Sequence, residues 1–448
     1  MPRKTLATLL CAAALTASAS TPVWLEADSA AAIEARTRAD FPYTTDQFLE
    51  MARQKYPDFT RDTLDRYIDL KYVETHPFGP DGELRVFKKA MGNMALMSPY
   101  LHEGPVGRNK GASKARIAYV DSVIAATDGT NPAGAGHRVT YSFSVEVPYD
   151  PALAGDTLRL WLPLPMESAR QSNIHILSAS PQQYILSDGR SAHNTIYFEQ
   201  PAPTAPDSPA RFEYTAVFDT YGQYFSPDSI RARIRPYDKT SELYRRYTAV
   251  EEPHMVRMDS LARAIVGPLT DPYEQSEAVY QWISDRYPWA GAREYSTIEC
   301  IPAYVLESGH GDCGQVSLLY ISLMRSLGVP ARWESGWMLH PVEINYHDWA
   351  EVYFEGVGWV PVDVSFGRYP NASDPRARKF YSTGMDSHRL ASNLGVCDAL
   401  YPPKRFVRSE TVDFQAGELE CSRGNIFYPG WRKSFRVISS TPITDTRK

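Results

Sequence analysis

The spacing of apolar positions divides the chain into stretches of different period. Between about residues 29 and 101 the period is helical. Leu64, Tyr67, Ile68 and Tyr72 stand at i, i+3, i+4 and i+8 and form one apolar stripe on a charged segment. Gly104 to Ser113 is polar and carries glycines, as a linker would. The period then drops to two. Val139, Tyr141, Phe143, Val145 and Val147 alternate with polar residues up to Pro148, which predicts a half-buried strand. Short β runs follow at 157–162, 174–177, 195–198 and 212–218, separated by turn-rich segments at 128–136 and 201–209. Strands spaced in this way predict an antiparallel β-sandwich.

Helical spacing returns after about Tyr237. Asp271-Pro272-Tyr273-Glu274 combines an N-cap, proline at the first helical position and an acid two residues on, and Pro288 stops the helix. Asp312 is a second N-cap. The residues after it (Val316, Leu318, Leu319, Ile321, Leu323, Met324 and Leu327) are apolar nearly all round, so this helix should be buried. Gly328 and Pro330 close it. Two strands are then expected, at 348–354 and 359–364, around Glu355-Gly356.

Composition narrows the class. In 448 residues, 43% are hydrophobic and 22% charged, as in globular proteins, and the net charge of −6 shows none of the basic bias of a nucleic-acid binder. Arg3 and Lys4, an apolar run from Leu6 to Leu15, and Ala17-Ser18-Ala19 form a signal-peptide pattern. This predicts an exported protein, periplasmic or extracellular, with no transmembrane segment. Cys11 follows the bulky Leu10, which disfavours a lipid anchor. Four cysteines remain beyond that leader (Cys300, Cys313, Cys397 and Cys421), and Cys397 with Cys421 is the plausible disulfide in an oxidising compartment. No metal-binding spacing and no glycine-rich phosphate loop is present, so neither a metal nor a cofactor is expected.

Cys313 falls in the first turn of the buried helix. There the unpaired N–H groups and the positive end of the dipole favour a thiolate and can stabilise an oxyanion. His347 opens the run His347-Asp348-Trp349-Ala350-Glu351-Val352-Tyr353-Phe354. A three-residue turn Phe354-Glu355-Gly356 would set Tyr353 opposite Val357, Trp349 opposite Pro361 and His347 opposite Asp363. Opposed residues share a face, so a carboxylate would lie beside the imidazole. His310, on the entering loop, and His340, before Pro341, lack this context.

These residues carry a resemblance. Gly311-Asp312-Cys313-Gly314 with Leu323 through Arg332, then His347-x-Trp349-x-Glu351-Val352, then Gly358-Trp359-Val360-Pro361-Val362-Asp363, resemble in order the core of the transglutaminase-like superfamily. The run Arg408 to Phe414 looks like the C-terminal part of its secreted bacterial members. The resemblance implies an α+β fold with a papain-like catalytic domain, placed at 238–448, and the patterns above put a signal peptide (1–19), a helical region (20–112) and the sandwich (113–237) before it. It also implies roles: Cys313 as nucleophile, His347 as base and then acid, Asp363 as the orienting carboxylate. Trp289, in Trp289-Ala290-Gly291, is similar to the residue whose indole faces the oxyanion in the cross-linking branch, at a shorter spacing. Val364-Ser365 departs from the Pro or Ser, then Thr, that commonly follow the aspartate. The expected activity is a secreted cysteine-dependent amide hydrolase, peptidase or isopeptidase, acting on a peptide, protein or glycopeptide. Acyl transfer to amines, peptide N-glycanase chemistry, and a binding module on a degenerate enzyme domain are the alternatives.

Overall fold

The computed structural model describes residues 27–103, 113–127 and 133–443. The expected signal peptide, Cys11, and most of the linker at 104–113 lie outside them. The described residues divide into two compact units, each built from separate segments: 27–103, 245–329 and 364–370 in the first, 113–127, 133–244, 330–363 and 371–443 in the second. The sequence had suggested consecutive domains; the chain instead crosses between units more than once.

In the first unit, helices Ala27–Asp40, Thr45–Lys55, Arg61–Asp69 and Ala90–Glu103 are joined by a small antiparallel sheet. Its strands, Tyr43–Thr44, Glu83–Val86 and Thr75–Phe78, correct the reading of this region as wholly helical. Phe41, Phe48, Leu64, Val86 and Phe87 make its core. Helix Pro272–Arg286 begins where expected, with the Asp271 carboxylate accepting the Glu274 N–H at 3.0 Å. Helix Cys313–Ser326 is buried along nearly its whole length, as its all-round apolarity required. Ser276 and Tyr320 hydroxyls join the two helices at 2.6 Å.

The second unit opens with helix Lys114–Ala126, capped by Ser113, where the sequence reading had placed the start of the sandwich. Val120, Val123 and Ile124 are its buried face. Two antiparallel sheets follow. One pairs Ala133–Val147 with Ala210–Tyr224 on one side and Arg432–Pro442 on the other; Gln171–Ser180 and Gly384–Met385 pair with Ala210–Tyr224. The other runs Gly424–Asn425, Glu418–Cys421, Thr157–Pro163, Thr195–Pro201, Ile185–Leu186. Val139, Tyr141, Phe143, Val145 and Val147 are all buried, as a strand of period two with one inward face requires. Both sheets recruit strands from the C-terminal end of the chain, which residues 113–237 alone cannot supply.

A third, four-stranded antiparallel sheet has the order Gly358–Val362, Glu343–Phe354, Ala331–His340, Arg389–Asn393. Trp337, Leu339 and Leu390 pack into the same core as the sandwich strands. Among the described residues Cys300, Cys313, Cys397 and Cys421 form no disulfide, so the expected Cys397–Cys421 bridge is absent.

Candidate active site

Cys313 is the first residue of its helix and is buried. Asp312 caps the helix reciprocally: its carboxylate accepts the Gln315 N–H at 3.0 Å, and its own N–H donates to Gln315 Oε1 at 3.2 Å. Tyr295 donates a further hydrogen bond to the same carboxylate at 2.5 Å. Burial raises the Asp312 carboxyl above its ordinary range, against these bonds. Two residues before the helix, Gly311 pairs with the segment at Trp289. The Ala290 N–H donates to Gly311 O and the Gly311 N–H to Pro288 O, both at 3.1 Å. Trp289 itself is 45% exposed, so its indole is open to solvent beside a fixed backbone.

That backbone is gripped from the N-terminal helices of the same unit. Asn93 donates to Gly291 O at 2.9 Å and accepts the Gly291 N–H at 2.8 Å, while Lys89 reaches Ala292 O at 3.0 Å. The Glu294 N–H donates to Asp40 at 2.8 Å, and Arg36 donates to the Ser296 hydroxyl at 2.7 Å. The sequence offered no signal for these anchors, because the partners lie 198 to 260 residues apart.

In the second unit, His347 lies on strand Glu343–Phe354 and Asp363 immediately follows strand Gly358–Val362. The observed register sets Phe354 opposite Gly358, Val352 opposite Val360 and Ala350 opposite Val362. The turn is one position later than expected, and the pairing is displaced by two residues. A displacement of two keeps each side chain on its face, whereas one would have reversed it. Asp363 is therefore a diagonal neighbour of His347, and the two still meet, with Nε2 2.6 Å from Oδ2. Both are buried, Asp363 completely. Burial lowers the proton affinity of His347 below the ordinary imidazole range; Asp363 opposes that effect and Arg389 adds to it.

The ring is backed by Trp349, stacked at 5.9 Å between centroids. The Trp349 indole donates to Glu334, a buried carboxylate also bonded by Arg170. Burial pushes the Glu334 carboxyl up despite that arginine. Asp363 Oδ2 has a second neighbour, Arg389 Nη2 at 3.3 Å, which no sequence motif marked. His340 turns toward Asp386 at 3.2 Å, and His310 is buried in the first unit with its proton affinity pushed down to about 4 by burial. The structure thus brings His347 and Asp363 together in one unit, and in the other it pairs the backbone at Trp289 with Gly311, two residues before Cys313. A cavity of about 600 Å³ among the N-terminal elements, lined in part by Asp46, Arg61 and Glu83, contains none of these residues.

Residues 259–364 match the family described as the transglutaminase-like superfamily. The chain is similar to the uncharacterised protein YebA of Bacillus subtilis, at 25% identity over 174 residues, 34% of this chain. It spans only 23% of the length of that relative. Among solved structures it is similar to a candidate cysteine protease of Cytophaga hutchinsonii, with TM-score 0.45 and 13% identity over 70% of this chain and 93% of that one. It is also similar to the periplasmic domain of TgpA from Pseudomonas aeruginosa, with TM-score 0.24 and 12% identity over 57% of this chain and 93% of that one. Among the described residues no helix is long and apolar enough to cross a membrane.

Proposed function

We propose that the chain is an exported cysteine-dependent amide hydrolase whose nucleophile is Cys313, with His347 as base and acid and Asp363 as the orienting carboxylate. The observation that carries this reading is the buried His347–Asp363 hydrogen bond, made by the two motif residues that the superfamily pattern singles out. Asp363 engages Nε2, so proton exchange with the thiol and the leaving group falls to Nδ1.

In the proposed reaction the Cys313 thiol gives its proton to Nδ1, and the sulfur forms a bond to the amide carbonyl carbon. The oxyanion that develops is met by N–H groups of the helix start, with the Trp289 indole as a further donor. Collapse breaks the C–N bond, and the imidazolium returns its proton to the departing amine. Water then gives a proton to His347 and its oxygen attacks the thioester carbon, releasing the acid and restoring the thiol. An amine in place of water would give transamidation through the same thioester.

The test is a panel of peptide, isopeptide and glycopeptide amides incubated with and without a primary amine and read by mass spectrometry. Amide hydrolysis lost in Cys313→Ala supports the reading. Amine incorporation without hydrolysis replaces it with acyl transfer, glycan release with deglycosylation, and no turnover of any amide overturns it.

A further inference from the structure

Strand Arg389–Asn393 lies at the edge of the four-stranded sheet and outside the span matched by the family model. It brings one arginine to two carboxylates. Arg389 donates from Nε and Nη2 to Asp386 Oδ2, at 3.1 and 2.9 Å, and the same Nη2 stands 3.3 Å from Asp363 Oδ2. All three side chains are fully buried. Asp386 also accepts the Tyr381 hydroxyl at 2.9 Å, the His388 N–H at 2.9 Å and His340 Nε2 at 3.2 Å, so its place is fixed from several directions.

Building on the function proposed above, we propose that Arg389, shared between Asp363 and Asp386, is a positioning residue that aims Asp363 at His347, and that Asp386 sets how much of its positive charge reaches that pair. The argument is one of charge balance. Two buried carboxylates cannot both stay ionised at close range without a cation between them. Arg389 holds Asp363 anionic, as a tautomer-fixing acceptor must be, and takes up the lone pair that Asp363 would otherwise turn elsewhere. The guanidinium lies 5.6 Å from the Trp349 ring and 5.8 Å from that of Tyr381, which limits where it can move.

The groups facing His347 are Asp363 from the adjoining strand end, Arg389 and His340 from the other two strands, and the Trp349 ring from its own. Asp348 beside it is held by Gln415, which also donates to the His347 carbonyl at 3.1 Å. In the proposed reaction the Cys313 sulfur joins this set.

The sign follows from electrostatics. Asp386→Asn removes the anion that occupies Arg389, so more positive charge bears on Asp363 and His347 and the imidazolium is disfavoured. Arg389→Gln removes the cation between the two carboxylates and leaves His347, bonded to Asp363, to supply the compensating positive charge, so the imidazolium is favoured. The full-length protein with isotopically labelled histidine is titrated by NMR, the His347 signal being identified by its loss in His347→Gln. The expected result is a titration midpoint lower by about one pH unit in Asp386→Asn and higher by about one in Arg389→Gln. The acid limb of the amide-hydrolysis profile should move in the same two directions. Wild-type midpoints in both folded variants, or shifts of one sign in both, overturn the proposal; if one variant fails to fold, the direction in the other decides. The NMR midpoint is independent of turnover, so an inactive wild type counts against the function above and leaves this coupling to be judged on its own titration.

Discussion

Gly336→Ala should be among the most damaging single-methyl additions to the second unit. Gly336 sits directly opposite His347 on one side and pairs with Ala391 on the other, where the register of the edge strand slips. A Cβ there would lie 1.9 Å from the backbone oxygen of Leu390, 2.9 Å from its carbonyl carbon and 3.1 Å from the Ala391 Cα. Carbon and oxygen in non-bonded contact stand about 3.3 Å apart, so one strand must retreat by roughly 1.4 Å. That distance breaks ladder hydrogen bonds, each worth about 1 kcal/mol net, in addition to about 1–3 kcal/mol of overpacking. We expect a loss of about 3–5 kcal/mol, read as a lowered urea midpoint by tryptophan fluorescence and a lowered Tm. The retreat would also carry Arg389 away from Asp363, so activity per folded molecule should fall. Gly92→Ala, in helix Ala90–Glu103 with nothing within 4 Å of the added methyl, is the control and should be neutral or slightly stabilising. A Gly336→Ala protein within about 1 kcal/mol of wild type would refute the close approach, and with it the account of how the edge strand is held.

Three further outcomes are expected. Iodoacetamide should modify Cys313 well below the pH of about 8.5 at which ordinary thiols ionise, and faster than it modifies Cys300; equal rates would remove the nucleophile assignment. Asp363→Asn should fold, by circular dichroism, yet lose about two to four decades of turnover, by analogy with triads in which the tautomer is spoiled. Burial pushes His254, His310 and His388 down to about 4, so their unfolded forms bind protons first on acidification. Stability from these groups is complete above about pH 6.5 and is lost as pH falls toward 4, and Tm measured across that window should drop.

The parts of the site that follow local rules were legible in the sequence. Asp312 with Gln315 at N3 fixes where the helix starts, and this alone places Cys313 in its first turn. The strand alternation fixed the face shared by His347 and Asp363, which is why a turn misread by one position left their contact intact. In helix Lys114–Ala126 the residues Ile117, Val120 and Ile124 have helical spacing, but the charged and small residues between them mask it. Strand Ala331–His340 gives no alternation because it is buried on nearly every position, and Gly336 interrupts its β-propensity. Arg389 and Asp386 could not have been found, since their meaning comes from strand Arg389–Asn393 being hydrogen-bonded to strand Ala331–His340 across a long connection.

The same long-range pairing bears on why such a cluster exists. Asp363, Asp386 and Arg389 are completely removed from water, and desolvating three charges typically takes back most of what their mutual attraction supplies. Apolar residues of similar volume could fill that space with little loss of stability, so stability is a weak reason for the cluster. Orientation is a stronger one. A carboxylate oxygen presented to His347 Nε2 is held in place by a second fixed neighbour, and Arg389 Nη2 is that neighbour of Asp363 Oδ2, away from solvent, in a sheet whose next strands also carry the buried Arg170, Glu334 and Trp349 contacts. Two arginines flank the Trp349 ring, Arg170 at 5.7 Å and Arg389 at 5.6 Å, and the His347 imidazole stacks on that ring. The imidazole is thereby held by a ring behind it and a carboxylate at Nε2. Under the function proposed above that constraint has a use, because a base that takes and returns one proton in each half of a thioester reaction works best from a fixed ring.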